Sequence, residues 1–114
     1  MARLGRQGGK NLMTDRTTNV RIHYCTQCQW QLRAVWMAQE ILASFSDDIY
    51  QMILQPGTGG VFEIWVNDTC IWERKKDGGF PSAKELKLRV RNCAFPEKPL
   101  GAHIEKSAEP SQDV

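Results

Sequence analysis

The sequence predicts an α/β fold of the α+β sandwich type, ordered βαβββα over a mixed four-stranded sheet. Three observations carry that expectation. Four short runs alternate apolar with polar residues or concentrate β-branched and aromatic ones, the mark of strands. Two longer stretches repeat their apolar residues at helical spacing, one between the first two strands and one after the last. Asn67 and Asp68 separate two strand-like runs and tolerate the positive φ of a tight turn, which makes those runs an antiparallel hairpin.

The first strand is "NVRIHY", residues 19 to 24, in which Val20 and Ile22 alternate with polar partners. From Gln29 to Phe45 the apolar residues Leu32, Val35, Trp36, Leu42 and Phe45 recur at helical spacing, with Gln29, Arg33, Glu40 and Ser44 on the wetter stripe. "IYQMILQ", residues 49 to 55, reads as the second strand and stops at Pro56. "VFEIWV" and "TCIWERK" form the hairpin. Pro81 then opens the last helix, whose apolar line is Ala83, Leu86, Val90 and Cys93. A strand, a helix and another strand imply a right-handed crossover between parallel strands. The loop after strand one, the "PGTGG" after strand two and the "DGGFP" after the hairpin should therefore share one end of the sheet, which is the candidate active edge.

At 114 residues and 41% hydrophobic, the chain can bury one modest core. That core falls in a domain of residues 18 to 95, between an N-terminal arm, residues 1 to 17, and a C-terminal tail, residues 96 to 114, both too polar to offset the entropy of ordering. Met13 offers an alternative start within the arm. A net charge of +2, with acidic residues interspersed among basic ones, argues against nucleic acid as a partner. No apolar stretch approaches the roughly 20 residues of a membrane helix, and the first 17 residues lack the continuous apolar core expected of a secretory signal. The expected address is the cytoplasm, where ordinary thiols stay reduced and a close cysteine pair is catalytic, metal-binding or incidental.

That pair is Cys25 and Cys28 in "HYCTQCQW", at the junction of strand and helix. A helix start favours a thiolate through unpaired backbone N–H groups and the positive end of the dipole. CxxC spacing lets the two sulphurs close a disulfide. Zinc needs four ligands, and Cys70, Cys93 and His103 are isolated, so no metal is expected. Cys70 and Cys93 fall in apolar patterns and read as core. His23 reads as a strand residue facing a neighbour, Lys84, Lys87, Arg89 and Arg91 as a solvated helix face, and the tryptophans Trp36, Trp65 and Trp72 as core. Trp30, just after Cys28, is positioned to cover the active edge or meet a partner. "PGTGG" lacks the lysine and following helix of a phosphate loop and reads as a close backbone passage beside the cysteines.

The stretches "IHYCTQCQWQLRAVWMAQEIL", "PGTGGVFEIWVND" and "IWERKKDGGFPSAKELKLRVR" resemble the selenoprotein W family, the thioredoxin-like group also called Rdx, in its cysteine-containing bacterial form. The resemblance spans nearly all of residues 20 to 92. It implies a thioredoxin-like sheet whose third strand crosses to pair with the first, carrying Pro56, Gly57, Thr58, Gly59 and Gly60 over the cysteines. It also implies glutathione-linked or thioredoxin-like redox function. Selenium-containing relatives carry selenocysteine at the position of Cys28, whereas the helix-start argument makes Cys25 the more exposed attacker.

The expected function is therefore a small thiol–disulfide redox protein. Cys25 and Cys28 are its catalytic pair, and Thr26, Gln27, Trp30, Gly78, Gly79, Phe80 and Pro81 join the glycine loop around them. No cofactor is expected to be bound; glutathione is a candidate co-substrate, and a thiol- or disulfide-bearing protein a candidate partner. The alternative is a redox-dependent interaction module without turnover.

Overall fold

The computed structural model describes residues 16–99. The expected arm up to residue 15, with Met13, and the tail from residue 100, with His103, lie outside the described residues. Within them run β1 (Thr18–Cys25), α1 (Gln31–Phe45), β2 (Ile49–Gly57), β3 (Phe62–Val66), β4 (Thr69–Glu73), the single turn α2 (Arg74–Asp77) and α3 (Ala83–Ala94). The sheet order is β2-β1-β3-β4, with β1 parallel to β2 and antiparallel to β3, and β3 antiparallel to β4. The third strand thus pairs with the first, as the resemblance implies. The expected hairpin also forms, and its Asn67 adopts φ 53° while bonding Asn19 through both main chain and side chain.

Val20, Ile22, Tyr24, Phe62, Ile64, Val66 and Trp72 turn to the face covered by the helices. There α1 packs on β1 and β2, α3 on β3, β4 and α1. The outer face carries Arg21, His23, Glu63 and Trp65, all half-buried.

Several details depart from the sequence expectation. Strand β2 runs through Pro56 to Gly57. It is an edge strand, where a missing N–H costs no ladder bond. The run taken as strand through Lys75 ends at Glu73, and Arg74–Asp77 turns once as a helix. Pro81 is buried one residue ahead of the true N-cap, Ser82, whose Oγ accepts from Glu85 N at 3.1 Å.

Helix α1 buries a different face from the expected one. Ala34, Met37, Ala38, Ile41 and Phe45 enter the core, whereas Leu32, Val35 and Leu42 are exposed. Glu40 and Ser44, expected to be wet, are buried. Lys87 of α3, expected in solvent, is also buried and meets Glu40 at 3.1 Å, which compensates the buried carboxylate.

Cys70 and Cys93 are exposed, not core. A bulge between the Ile64↔Trp72 and Trp65↔Cys70 pairs leaves Ile71 unopposed. Cys70 is thereby aligned with outward Trp65 instead of inward Val66. On α3 the inward row is Leu86, Val90 and half-buried Ala94, which rotates Cys93 outward. Trp72 is buried, but Trp36 and Trp65 only half so.

Candidate functional site

Cys25 is the last residue of β1, and residues 26 to 29 turn before α1 begins. Gln29 N donates to Thr26 O and Trp30 N to Cys25 O, with Gln29 at φ 61°. Helix α1 therefore starts at Gln31 with Trp30 as its N-cap. Both cysteines precede the helix, which corrects the expected start at Gln29 and weakens the dipole argument, since that effect fades within a turn.

The two sulphurs lie 2.9 Å apart, with the Cys28 thiol donating to Cys25. Both are free thiols, Cys25 buried and Cys28 exposed. This reverses the expectation that Cys25 is the more accessible of the two. Burial of Cys25 follows from its place at the end of the central strand, beneath the crossing loop.

That loop is tied down at several points. Thr26 donates to Gly57 O through its N at 3.0 Å and its Oγ1 at 3.2 Å. Gly59 N reaches Gln27 Oε1 at 3.5 Å. The Gly60 backbone N–H stabilises both sulphurs, which needs its main chain at φ 78°, a left-handed conformation natural to glycine. Pro56 and Thr58 flank this passage on the exposed side.

The pair's electrostatics follow from the shared proton. Cys25 is lowered from the ordinary thiol value chiefly by the Cys28 hydrogen bond; burial opposes the shift, and the backbone N–H groups of Gly60, Cys28 and Gln27 add to it. Cys28 is pushed up chiefly by that same bond to Cys25, then by desolvation and the repulsion of the Cys25 charge, while Arg74 and Gly60 pull it down. The pair as a unit thus gives up one proton readily and holds the second.

Beside the sulphurs stands an aromatic cluster. Trp30 meets Phe80 edge-on at 5.2 Å and Phe62 at 6.1 Å, and Phe62 meets Phe80 at 4.9 Å. Arg33 lies 4.3 Å over the Phe80 ring and Arg74 4.9 Å over Trp30. Gly79 O accepts from Trp72 Nε1 at 2.8 Å, which fixes the Gly78–Gly79–Phe80–Pro81 turn at this edge. The three loops expected at one end are therefore there. Sequence reading missed Phe62, Arg33 and Arg74. The available signal was a basic residue directly before "KKDGGFP", whose partners only the fold reveals.

His23 does not join the cysteines: its Nδ1 lies 3.6 Å from Glu63 Oε1 on the outer face. Its ring instead explains Gly57. A Cβ there would press into the His23 imidazole, 2.9 Å from Cδ2, and meet Val61 Cγ1 at 3.1 Å. Gly57→Ala is expected to destabilise the fold by about 1–3 kcal/mol, as overpacking does. Urea unfolding checks this, and His23→Ala in the same chain should recover part of the loss. Among the described residues no group of three or more His, Cys, Asp or Glu is arranged to hold a metal ion, and no helix is long and apolar enough to cross a membrane.

Comparison with known proteins agrees with this geometry. No curated protein matches the chain significantly. A crystal structure of a protein from Bordetella parapertussis is 56% identical with a TM-score of 0.65, covering 67% of this chain and 96% of its own. A selenoprotein W-related protein from Vibrio cholerae is 51% identical with a TM-score of 0.67, covering 69% and 99%. The Rdx family model matches residues 19–92. With the mixed four-stranded sheet, the crossing third strand and the adjacent cysteines in place, the chain belongs to the Rdx family and has its thioredoxin-like fold.

Proposed function

We propose that the protein is a thiol–disulfide redox protein in which Cys28 attacks and Cys25 resolves. The observation that carries this reading is one exposed sulphur 2.9 Å from a buried one. In the first step the Cys28 thiolate attacks one sulphur of a substrate disulfide, forming a Cys28 mixed disulfide and expelling the other half as a thiolate. In the second, the Cys25 thiolate attacks Cys28 Sγ, forming the Cys25–Cys28 disulfide and releasing the bound half. Two electrons pass from the dithiol to the substrate, and an external thiol, such as glutathione or a dithiol reductase of the thioredoxin class, returns them. Attack by Cys28 also matches the selenocysteine position of the selenium-containing relatives. The cycle suits the cytoplasm, where such thiol reductants maintain the poise.

Equilibrating the protein with glutathione buffers of graded potential tests this directly. A Cys25–Cys28 disulfide, read as the loss of two hydrogens from the peptide carrying both, should appear over a defined window. Its absence at every accessible poise would sink the reading.

One observation favours a second role for the same chemistry, as a redox-dependent interaction surface. Leu32 is 81% exposed, one turn beyond Cys28 and two residues after Trp30. Pull-downs from reduced and oxidised protein separate the two: an unchanged partner set together with turnover of a model disulfide counts against the module.

A further inference from the structure

Arg74 has no assigned role, yet its placement is built with care. It opens α2, and that single turn is clamped at both ends. Glu73 N donates to Asp77 Oδ2 at 2.9 Å, Lys76 N donates to Glu73 Oε1 at 2.7 Å, and Gly78 N and Gly79 N both donate to Arg74 O at 2.9 Å. Arg89 on α3 braces the clamp, 3.2 Å from Asp77 Oδ1. The Asp77 carboxyl is held below its usual range, first by the Glu73 N–H and, against some desolvation, by Arg89, so the clamp stays ionised at neutral pH.

This mount carries the Arg74 guanidinium across the top of the sheet. It lies 4.9 Å over Trp30, and a Cβ on Gly60 would be 3.8 Å from its Nη2. Gly60 is the residue whose backbone serves both sulphurs. Among the described residues no carboxylate pairs with Arg74, and its Nε is buried without an acceptor. An arginine held rigidly, stacked on an aromatic ring and spared from an ion pair keeps its charge for the neighbouring sulphur.

We propose that Arg74 is a positioning residue that eases exposed Cys28 toward its thiolate, working against the hydrogen bond that holds most of the pair's negative charge on buried Cys25. The event is a proton transfer along the 2.9 Å bond between the sulphurs, from Cys28 Sγ to Cys25 Sγ. No bond to carbon changes and no electrons leave the pair. Without Arg74 the charge is held still more firmly on the buried sulphur, because the Cys28 hydrogen bond and the Gly60, Cys28 and Gln27 N–H groups all favour an anion on Cys25. The groups around Cys28 are Cys25 from β1, the Gly60 N–H from the crossing loop and Arg74 from α2; Arg33 of α1 is engaged over Phe80.

This assignment rests on the redox reading of the pair, but its test does not. Alkylation of Cys28 by iodoacetamide is followed against pH by peptide mapping of the reduced full chain, with exposed Cys93 in the same sample as internal control. Arg74→Met should shift the Cys28 midpoint upward and slow alkylation several-fold below it, leaving Cys93 unchanged. Arg74→Lys should restore most of the rate, since it restores the charge. Added salt should shift the wild-type profile upward and leave that of Arg74→Met in place. A Cys28 profile unmoved by Arg74→Met overturns the assignment; should that variant not fold, a wild-type profile insensitive to salt does so instead. If the profile moves as expected while no Cys25–Cys28 disulfide forms in glutathione buffers, the assignment stands and the redox reading falls.

Discussion

Lys87→Met is expected to cost about 3–5 kcal/mol of folding stability, the usual penalty for removing one partner of a buried ion pair. Lys87 and Glu40 are 1% and 0% exposed, so solvent screening does little to soften the loss. Against the roughly 5–15 kcal/mol that holds a domain of this kind together, such a loss leaves a marginal protein. Glu40→Leu combined with Lys87→Met should recover most of it, because the double variant buries no unpaired charge. Chemical denaturation of the two single variants and the double gives the coupling. A double variant as unstable as the sum of the singles would show that the pair acts independently, contrary to the geometry. The pair also joins α1 to α3, and α1 carries Arg33 toward the Phe80 loop, so stability and the order of the active edge should fall together.

The same pair bears on why the sequence leaves the buried face of α1 ambiguous. Leu32, Val35, Trp36 and Leu42 recur at helical spacing, but so do Ala34, Met37, Ala38, Ile41 and Phe45, whose face also includes Glu40 and Ser44. Period therefore offers two faces, and the cation from a distant helix that lets the one with Glu40 be buried is not visible in a local pattern. Cys70 was misplaced for a related reason: strict alternation puts it with Trp72, but the extra Ile71 slips the register by one and turns Cys70 outward. Topology was far more legible. Parallel β1 and β2 followed from the intervening helix, the hairpin followed from Asn67 and Asp68, and together they brought the cysteine turn, the glycine loop and Phe80 to one edge. The crossing of β3 to β1 came from the family resemblance, since alternating runs alone do not distinguish it from a simple meander.

Accessibility of the sulphurs was the part of the site that sequence could not order, because it depends on how far β1 extends before the turn. Cys25 closes the strand beneath Gly57 and Gly60, and Cys28 lies outside the ladder. Cys25→Ser is therefore expected to accumulate a stable mixed disulfide on Cys28 when treated with a disulfide substrate. Cys28→Ser should fall to background reactivity at this site, because its remaining thiol is buried. Both are read by intact mass in a chain carrying Cys70→Ser and Cys93→Ser, so that no exposed thiol competes. A mixed disulfide trapped on Cys25 in the Cys28→Ser variant would reverse the order of attack. In that background the pH dependence supplies a second check with a definite sign. The first proton leaves the pair below the ordinary thiol range near pH ~8.5 and the second above it. Thiolate absorbance of the wild-type pair should rise in two separated steps, and disulfide reduction should persist below the ordinary range, then fall as pH drops through the first step. Cys25→Ser removes one ionisable partner and should collapse the two steps into one lying between them. Two unseparated steps in the wild-type pair would mean that the sulphurs do not share a proton, and the division of labour between them would lose its electrostatic basis.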